Sequence, residues 1–348
     1  PTVLRHYGFG NVAGQVSIGG VPLSGVNWSD GIITGTVPGG AATGQLTVTT
    51  AAGESAPGGV TVTVGPLPSR MSVIPVLPSA DPLATPIQDA IDIARPQDII
   101  MLAPGTYNEM VLMYKPVRLQ GSGAGTVISA IKAPGEKLAA WRSAVEALYN
   151  QGAYDLLPSQ EAGFTIADEP DALFTEEGAG IIVLGKQGNA PGTFGRHASR
   201  IDGLSITGAD HSGGIVVNGY ADNLQMSNNR IYGNHGIYGG GIRVGHPFLT
   251  VDNLEYQDGF NDNITIRNNL IAQNGAGLGA GGGVSLYHGT DGYTVAENYI
   301  CGNFTMGEGG GIGHYGLSGG IQGNSVNAGV IADNTIIFNQ SFNQGVPV

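Results

Sequence analysis

The chain predicts an all-β solenoid of stacked strands, and three observations carry that expectation: a four-fold asparagine pattern, a second apolar repeat out of phase with it, and 60 glycines in 348 residues. The pattern Asn-x-Ile-x-x-Asn runs over Asn229–Asn234, Asn269–Asn274, Asn298–Asn303 and Asn334–Asn339, recurring after 40, 29 and 36 residues. An apolar residue stands three positions before each copy, as Met226, Ile266, Val295 and Ile331. The second register pairs Ile181 with Val183, Ile215 with Val217, Ile242 with Val244 and Val284 with Leu286, and Ile312 begins a fifth copy. Three of these follow Gly-Gly-Gly, at 239–241, 281–283 and 309–311. Two short strand signals per unit of irregular length are the mark of stacked coils.

Paired asparagines at a fixed register have a physical use in such a stack. Equivalent side-chain amides lie about 4.7 Å apart and hydrogen-bond from coil to coil, satisfying turns that are buried between strands. Asn229, Asn234, Asn269, Asn274, Asn298, Asn303, Asn334 and Asn339 are therefore expected to form structural ladders. Unequal spacing is harmless, because the segments between strands lengthen without disturbing the stack.

Composition narrows the class. The glycines have no Gly-X-Y period, which excludes collagen. A net charge of −13 with only 14 Lys plus Arg argues against a sequence-independent nucleic-acid binder, which needs cations to displace phosphate counterions. No apolar run is long enough for a transmembrane helix. Cys301 stands alone, so neither an intrachain disulfide nor a cysteine zinc site is available.

Residues 1–66 alternate short strand signals with Gly, Pro and Asn turns, at Gln15–Ile18, Ile32–Val37, Gln45–Thr50 and Val60–Val64. The residues Gly8-Phe9-Gly10, Val16-Ser17-Ile18-Gly19-Gly20, Val26-Asn27-Trp28-Ser29-Asp30 and Thr43 to Val48 resemble an IPT/TIG domain, an immunoglobulin-like β-sandwich. The first strand of such a module is missing here. Residues 67–84, with Pro68, Pro75, Pro78 and Pro82, read as a linker. Thr85-Pro86 then opens a short helix, with Thr85 as N-cap and Ile87, Ala90, Ile91 and Ala94 on its buried face.

The stretch from Pro96 to Glu109, containing Asp98-Ile99-Ile100-Met101-Leu102-Ala103-Pro104-Gly105-Thr106-Tyr107, resembles the opening coil of the right-handed parallel β-helices of the pectate-lyase-like superfamily. The resemblance implies a parallel β-helix over residues 85–348, its open end covered by the preceding helix. Residues 133–177 interrupt the repeat with a second helix from about Glu136 to Tyr149, whose Leu138, Trp141, Val145 and Leu148 share a face, and with an acidic segment. This is expected to be an insertion packed outside the stack. The asparagine pattern runs undiminished to Asn339, so the stack is expected to continue past Val348.

Candidate chemistry comes from aligning outward positions. Four residues on from the first apolar residue of the second register stand Gly185, Gly219, His246, His288 and Gly316, so two histidines fall on neighbouring rungs. Alternation sends Arg243 out of the core beside them, and Tyr287 and Tyr315 adjoin the same edge. His246, His288 and Arg243 are the catalytic candidates, a histidine serving as acid or base and Arg243 countering a uronate carboxylate; Tyr287 and Tyr315 are the substrate-binding candidates. Asp252, Asp258 and Asp262 are candidates for calcium, which favours clustered oxygen ligands. The local motifs of superfamily enzymes are absent. The expected role is therefore structural or binding: a secreted or cell-surface bacterial protein that meets polysaccharide or other surface proteins. An enzyme acting on an acidic glycan, and self-association into a filament or sheath, are the alternatives.

Overall fold

The computed structural model describes residues 8–55, 59–65, 71–157, 160, 173–247, 258–314 and 328–342. Most of the described secondary structure is β, with two α-helices: α1 over Pro86–Ile93 and α2 over Glu136–Asn150. Three long parallel sheets of eight, seven and six strands dominate, compatible with a β-helix-like solenoid. Each coil contributes one strand to each sheet in turn. The coil from Leu224–Ser227 passes to Arg230–Tyr232, then to Ile242–Val244, before Thr265–Arg267 returns to the first sheet one rung higher. From His235–Gly236 onward a fourth parallel sheet of two-residue strands is added.

Inward side chains stack in columns without a register break along the first two sheets. Ile201, Met226, Ile266, Val295 and Ile331 align in the first sheet, and Ile206, Ile231, Ile271, Ile300 and Ile336 in the second. From Ser199 onward just two residues separate each first-sheet strand from its second-sheet partner. In the last four coils the first of these two is left-handed (Asn228, Asn268, Glu297, Asp333; φ 54–57°) and the second is the ladder asparagine. The Asn229 Nδ2 donates to Asn269 Oδ1 (3.2 Å), Asn269 to Asn298 (3.0 Å) and Asn298 to Asn334 (2.9 Å). The second column repeats this through Asn234, Asn274, Asn303 and Asn339 at 2.9–3.0 Å. Each amide nitrogen also donates to a carbonyl of the preceding coil, as Asn274 does to Ile231 (2.9 Å), so the ladder side chains satisfy backbone groups at the buried corners.

α1 packs Ile87, Ala90 and Ile91 onto the first coil and buries them. Thr85 makes no side-chain cap; Glu109 from the coil takes that place, its carboxylate accepting the Ile87 and Gln88 amides at 3.1 Å. Burial pushes the Glu109 carboxyl up to about 7, against the pull of those two amides. Within the stretch read as linker, Val73–Val76 is an edge strand of the eight-stranded sheet, parallel to Ile99–Leu102. Pro75 is tolerated because an edge strand needs only half its backbone groups in the ladder.

The insertion lies against the third sheet. Trp141, Val145, Tyr154, Leu156 and Leu173 cluster with Leu112, Ile182, Leu184 and Val216. Those four are the outward residues of third-sheet strands, which explains why Ile181–Leu184 and Ile215–Gly219 are buried on both faces.

Residues 8–65 form antiparallel pairs: Gln15–Ile18 with Val21–Pro22 and with Gly44–Thr49, Gly44–Thr49 with Thr61–Val62, and Ser24–Trp28 with Ile33–Thr36. This unit is tied to the stack by hydrogen bonds from Arg200 Nη2 to Thr63 Oγ1 (3.2 Å), Asn228 Nδ2 to Thr61 Oγ1 (3.2 Å) and Asn268 Nδ2 to Gln45 Oε1 (2.5 Å) and, most densely, by one buried carboxylate. Asp202 accepts hydrogen bonds from Thr61 N (2.7 Å), Thr61 Oγ1 (2.6 Å), Gln120 Nε2 (2.9 Å), Ser227 Oγ (2.6 Å) and Asn228 Nδ2 (2.9 Å).

Candidate functional site

The third-sheet strands Ile242–Val244 and Val284–Leu286 lie on adjacent rungs, with Ile242↔Val284 and Arg243↔Ser285 in register. Ile242 and Val244 enter the core, and Arg243 leaves it. Gly245 follows at φ 78°, where a Cβ would meet the His288 carbonyl oxygen at 2.9 Å. That close approach lets His246 and His288 bridge across the rung.

Arg243 leaves the core without reaching solvent. The 3-10 turn Phe174–Glu176 of the insertion lies over it, and Arg243 Nη2 pairs with Glu176 Oε1 while Nη1 donates to the Thr175 carbonyl (3.5 Å). Arg243 is 0% exposed and Glu176 1%. Thr175 Oγ1 donates to Glu176 Oε1 (2.7 Å), and His246 Nε2 sits 3.6 Å from the same carboxylate oxygen. Burial pushes the Glu176 carboxyl upward, but Arg243, then His246 and the hydrogen bonds, outweigh it and hold the group below the usual carboxylate range. The covering segment is bolted down on its other side, since Ser212 Oγ donates to the carbonyls of Glu176 (2.9 Å) and Glu177 (3.0 Å). Arg142 Nε meets Glu177 Oε2 at 2.6 Å, and His211 Nε2 lies 3.1 Å from the Phe174 carbonyl.

His288 is also buried, and burial first, then His314, pulls its pKa down. The Tyr287 hydroxyl donates to the Tyr238 carbonyl (2.5 Å) and accepts from the Ala280 amide (3.0 Å), bracing two turns. Tyr315 and Asp252 lie outside the described residues. The structure thus joins Arg243 and His246 through Glu176 and sets His288 and Tyr287 beside them as buried neighbours.

The acidic candidates fall elsewhere. Asp222, Asp262 and Asp291 occupy equivalent corners of three successive coils: the Asp262 amide donates to Asp222 Oδ1 (2.9 Å), the Asn223 amide to the Asp262 carbonyl (2.8 Å) and the Asn263 amide to the Asp291 carbonyl (2.8 Å). Burial, then the charges of Asp222, Asp258 and Asp291, push the Asp262 carboxyl up to about 7. Among the described residues no group of three or more His, Cys, Asp or Glu side chains is arranged to hold a metal ion.

No family model, curated protein or solved structure matches this chain.

The pairing of Glu176 with Arg243 and the alignment of Asp262 with Asp222 and Asp291 escaped sequence reasoning, although each left a trace. Arg243 aligns with Ile182, Val216, Ser285 and Gly313, the single charge in an otherwise uncharged column, which demands a counter-charge once anything covers that face. Asp222, Asp262 and Asp291 each stand seven positions before a ladder asparagine, so the ladder spacing already contained them.

Proposed function

We propose that the chain serves a structural and binding role in a secreted or cell-surface protein, as a scaffold for surface assembly or polysaccharide contact. In this reading the stack is a right-handed parallel β-helix, the hand that parallel crossovers almost always take. Residues 8–65 are then an IPT/TIG-like sandwich held against it through Asp202. One observation carries the choice against catalysis on the histidine face: Glu176, Arg243 and His246 satisfy one another beneath the insertion. An arginine whose charge is already matched has nothing left to offer a uronate.

The competing reading, a lyase, hydrolase or epimerase on an acidic glycan, draws on the same cluster, because a carboxylate 3.6 Å from an imidazole has the makings of an acid–base couple. Two measurements separate the readings. Co-sedimentation with insoluble polysaccharides is expected to retain the protein, and incubation with soluble polyuronates is expected to release neither reducing ends nor unsaturated uronates. Turnover that disappears in the His246→Ala, His288→Ala double variant would overturn the scaffold reading in favour of the enzyme.

A further inference from the structure

A cavity of about 360 Å³ opens on another part of the stack, at the corners leading from the third sheet back to the first. Tyr220 and Phe260 hold equivalent places there on successive coils. The Tyr220 amide donates to the Gly259 carbonyl (2.8 Å), and the two rings stack with centroids 6.0 Å apart and planes 21° from parallel. Both residues are left-handed, at φ 56° and 46°. A bulky side chain enters that region at roughly 1–2 kcal/mol. Nearby left-handed corners use Asn223, Asn228, Asn263 and Asn268, and Gly289 fills the slot on the next rung. Two aromatic rings thus stand where the backbone would favour asparagine or glycine. Tyr220 is 7% exposed and Phe260 40%, so Tyr220 supports a ring whose surface meets solvent.

The other walls supply polar chemistry. Gln187, Asn189, Lys186 and Asp222 line the cavity. The two amides offer donors and acceptors on planar groups, and the Asp222 carboxylate accepts. Lys186 Nζ donates to the Gly152 carbonyl at 2.6 Å, and this one cation stands against three acidic groups, Asp222 and its neighbours Asp258 and Asp262, so the local charge is net negative. Such a field repels an anionic sugar. An aromatic face is electron-rich and meets the weakly positive C–H face of a pyranose, while planar amides and a carboxylate suit its hydroxyl edge. The volume falls within the roughly 300–1,000 Å³ of small-molecule sites.

We propose that this cavity is a subsite for a neutral saccharide ring, seated on Phe260 and hydrogen-bonded at its edge by Gln187, Asn189 and Asp222. The proposal rests on the polysaccharide-contact reading above and deepens it by assigning the place and the charge class of the sugar.

Isothermal titration of the whole chain with glucose, galactose, mannose, N-acetylglucosamine, cellobiose, maltose, lactose and galacturonate tests it. At least one neutral sugar is expected to saturate the protein in the millimolar range, with galacturonate weaker. Phe260→Asn removes the ring yet places at the left-handed corner a residue that suits it. This variant is expected to lose affinity by about tenfold or more while its thermal midpoint stays the same or rises, and Asn189→Ala is expected to weaken binding as well. Three outcomes each overturn the assignment: no neutral sugar binding at tens of millimolar, galacturonate binding tightest, or Phe260→Asn binding as the wild type does. Retention on insoluble polysaccharide that survives Phe260→Asn rejects this subsite and leaves the broader reading standing. No retention at all rejects the polysaccharide-contact reading.

Discussion

Replacing Asp202 by asparagine should loosen residues 8–65 from the stack. Of the five hydrogen bonds that end on its carboxylate, two come from Thr61, through the amide at 2.7 Å and the hydroxyl at 2.6 Å. A hydrogen bond to a charged group contributes about 1.5–3 kcal/mol, so the Thr61 pair holds roughly 3–6 kcal/mol at most. A carboxamide keeps one acceptor oxygen but turns an NH₂ toward donors on the other side. About half of what this carboxylate contributes at Thr61 is then lost, on the order of 2–3 kcal/mol. At about 1.4 kcal/mol per decade, the Thr61 amide should exchange with deuterium roughly 30- to 150-fold faster in Asp202→Asn. Exchange of the Ile266 and Ile271 amides, in strands far along the stack, should not change. Unaltered protection at Thr61 would refute the claim that this carboxylate fastens the two parts together.

Asn274→Ala removes the acceptor of the Asn234 amide and side chain and the donor to Ile231 and Asn303, and should lower unfolding free energy by about 3–4 kcal/mol; Asn339→Ala, at a partly exposed asparagine of the last described coil, should cost about 1–2 kcal/mol. Arg243→Met leaves the Glu176 charge buried and should destabilise by roughly 3–5 kcal/mol, much of it recovered in the Glu176→Gln, Arg243→Met double variant; a double as unstable as the single would reject the pairing. The Asp262 carboxyl lies at about 7 in the folded chain against an ordinary 3.8, so its stabilising contribution is full below about pH 4 and fades as pH rises to about 7. Because Asp262 is only half-buried, solvent screening makes the change smaller than the shift alone implies. Asp262→Asn should flatten that slope in a denaturant-midpoint series, and an unchanged slope would show that another group titrates there.

Features that repeat were legible in the sequence, and features that pair distant segments were not. The asparagine columns and the apolar columns beneath them recur at one register, so spacing alone reveals them. The buried face of α1 follows from helical periodicity, and Trp141 with Val145 likewise marks the inner side of α2. The Glu109 cap was hidden because its partners Ile87 and Gln88 belong to another segment, and the local Thr85-Pro86 signal pointed to a nearer one. Pro75 disguised the strand Val73–Val76, whose only neighbour among the described residues is supplied by the coil after α1. At the candidate site, alternation placed Arg243 outside the core, but whether outside meant solvent depended on an insertion with no period of its own.

The two-residue corners between the first and second sheets have a consequence for how this molecule can change. They keep their length from Ser199 to the last described strand, while the returns from the third sheet to the first span residues 185–198, 220–223, 245–264 and 287–293. The connections from the second sheet to the third vary as well, spanning 130–180 with α2, 208–214, 233–241, 273–283 and 302–311, so only the asparagine corner is fixed in length. A foreign peptide grafted beside Gly188 should leave the molecule soluble and intact, whereas a single residue added between Glu297 and Asn298 should shift every rung above it. The asparagine edge acts as the spine of a bound book, and the other two margins are free to carry new pages.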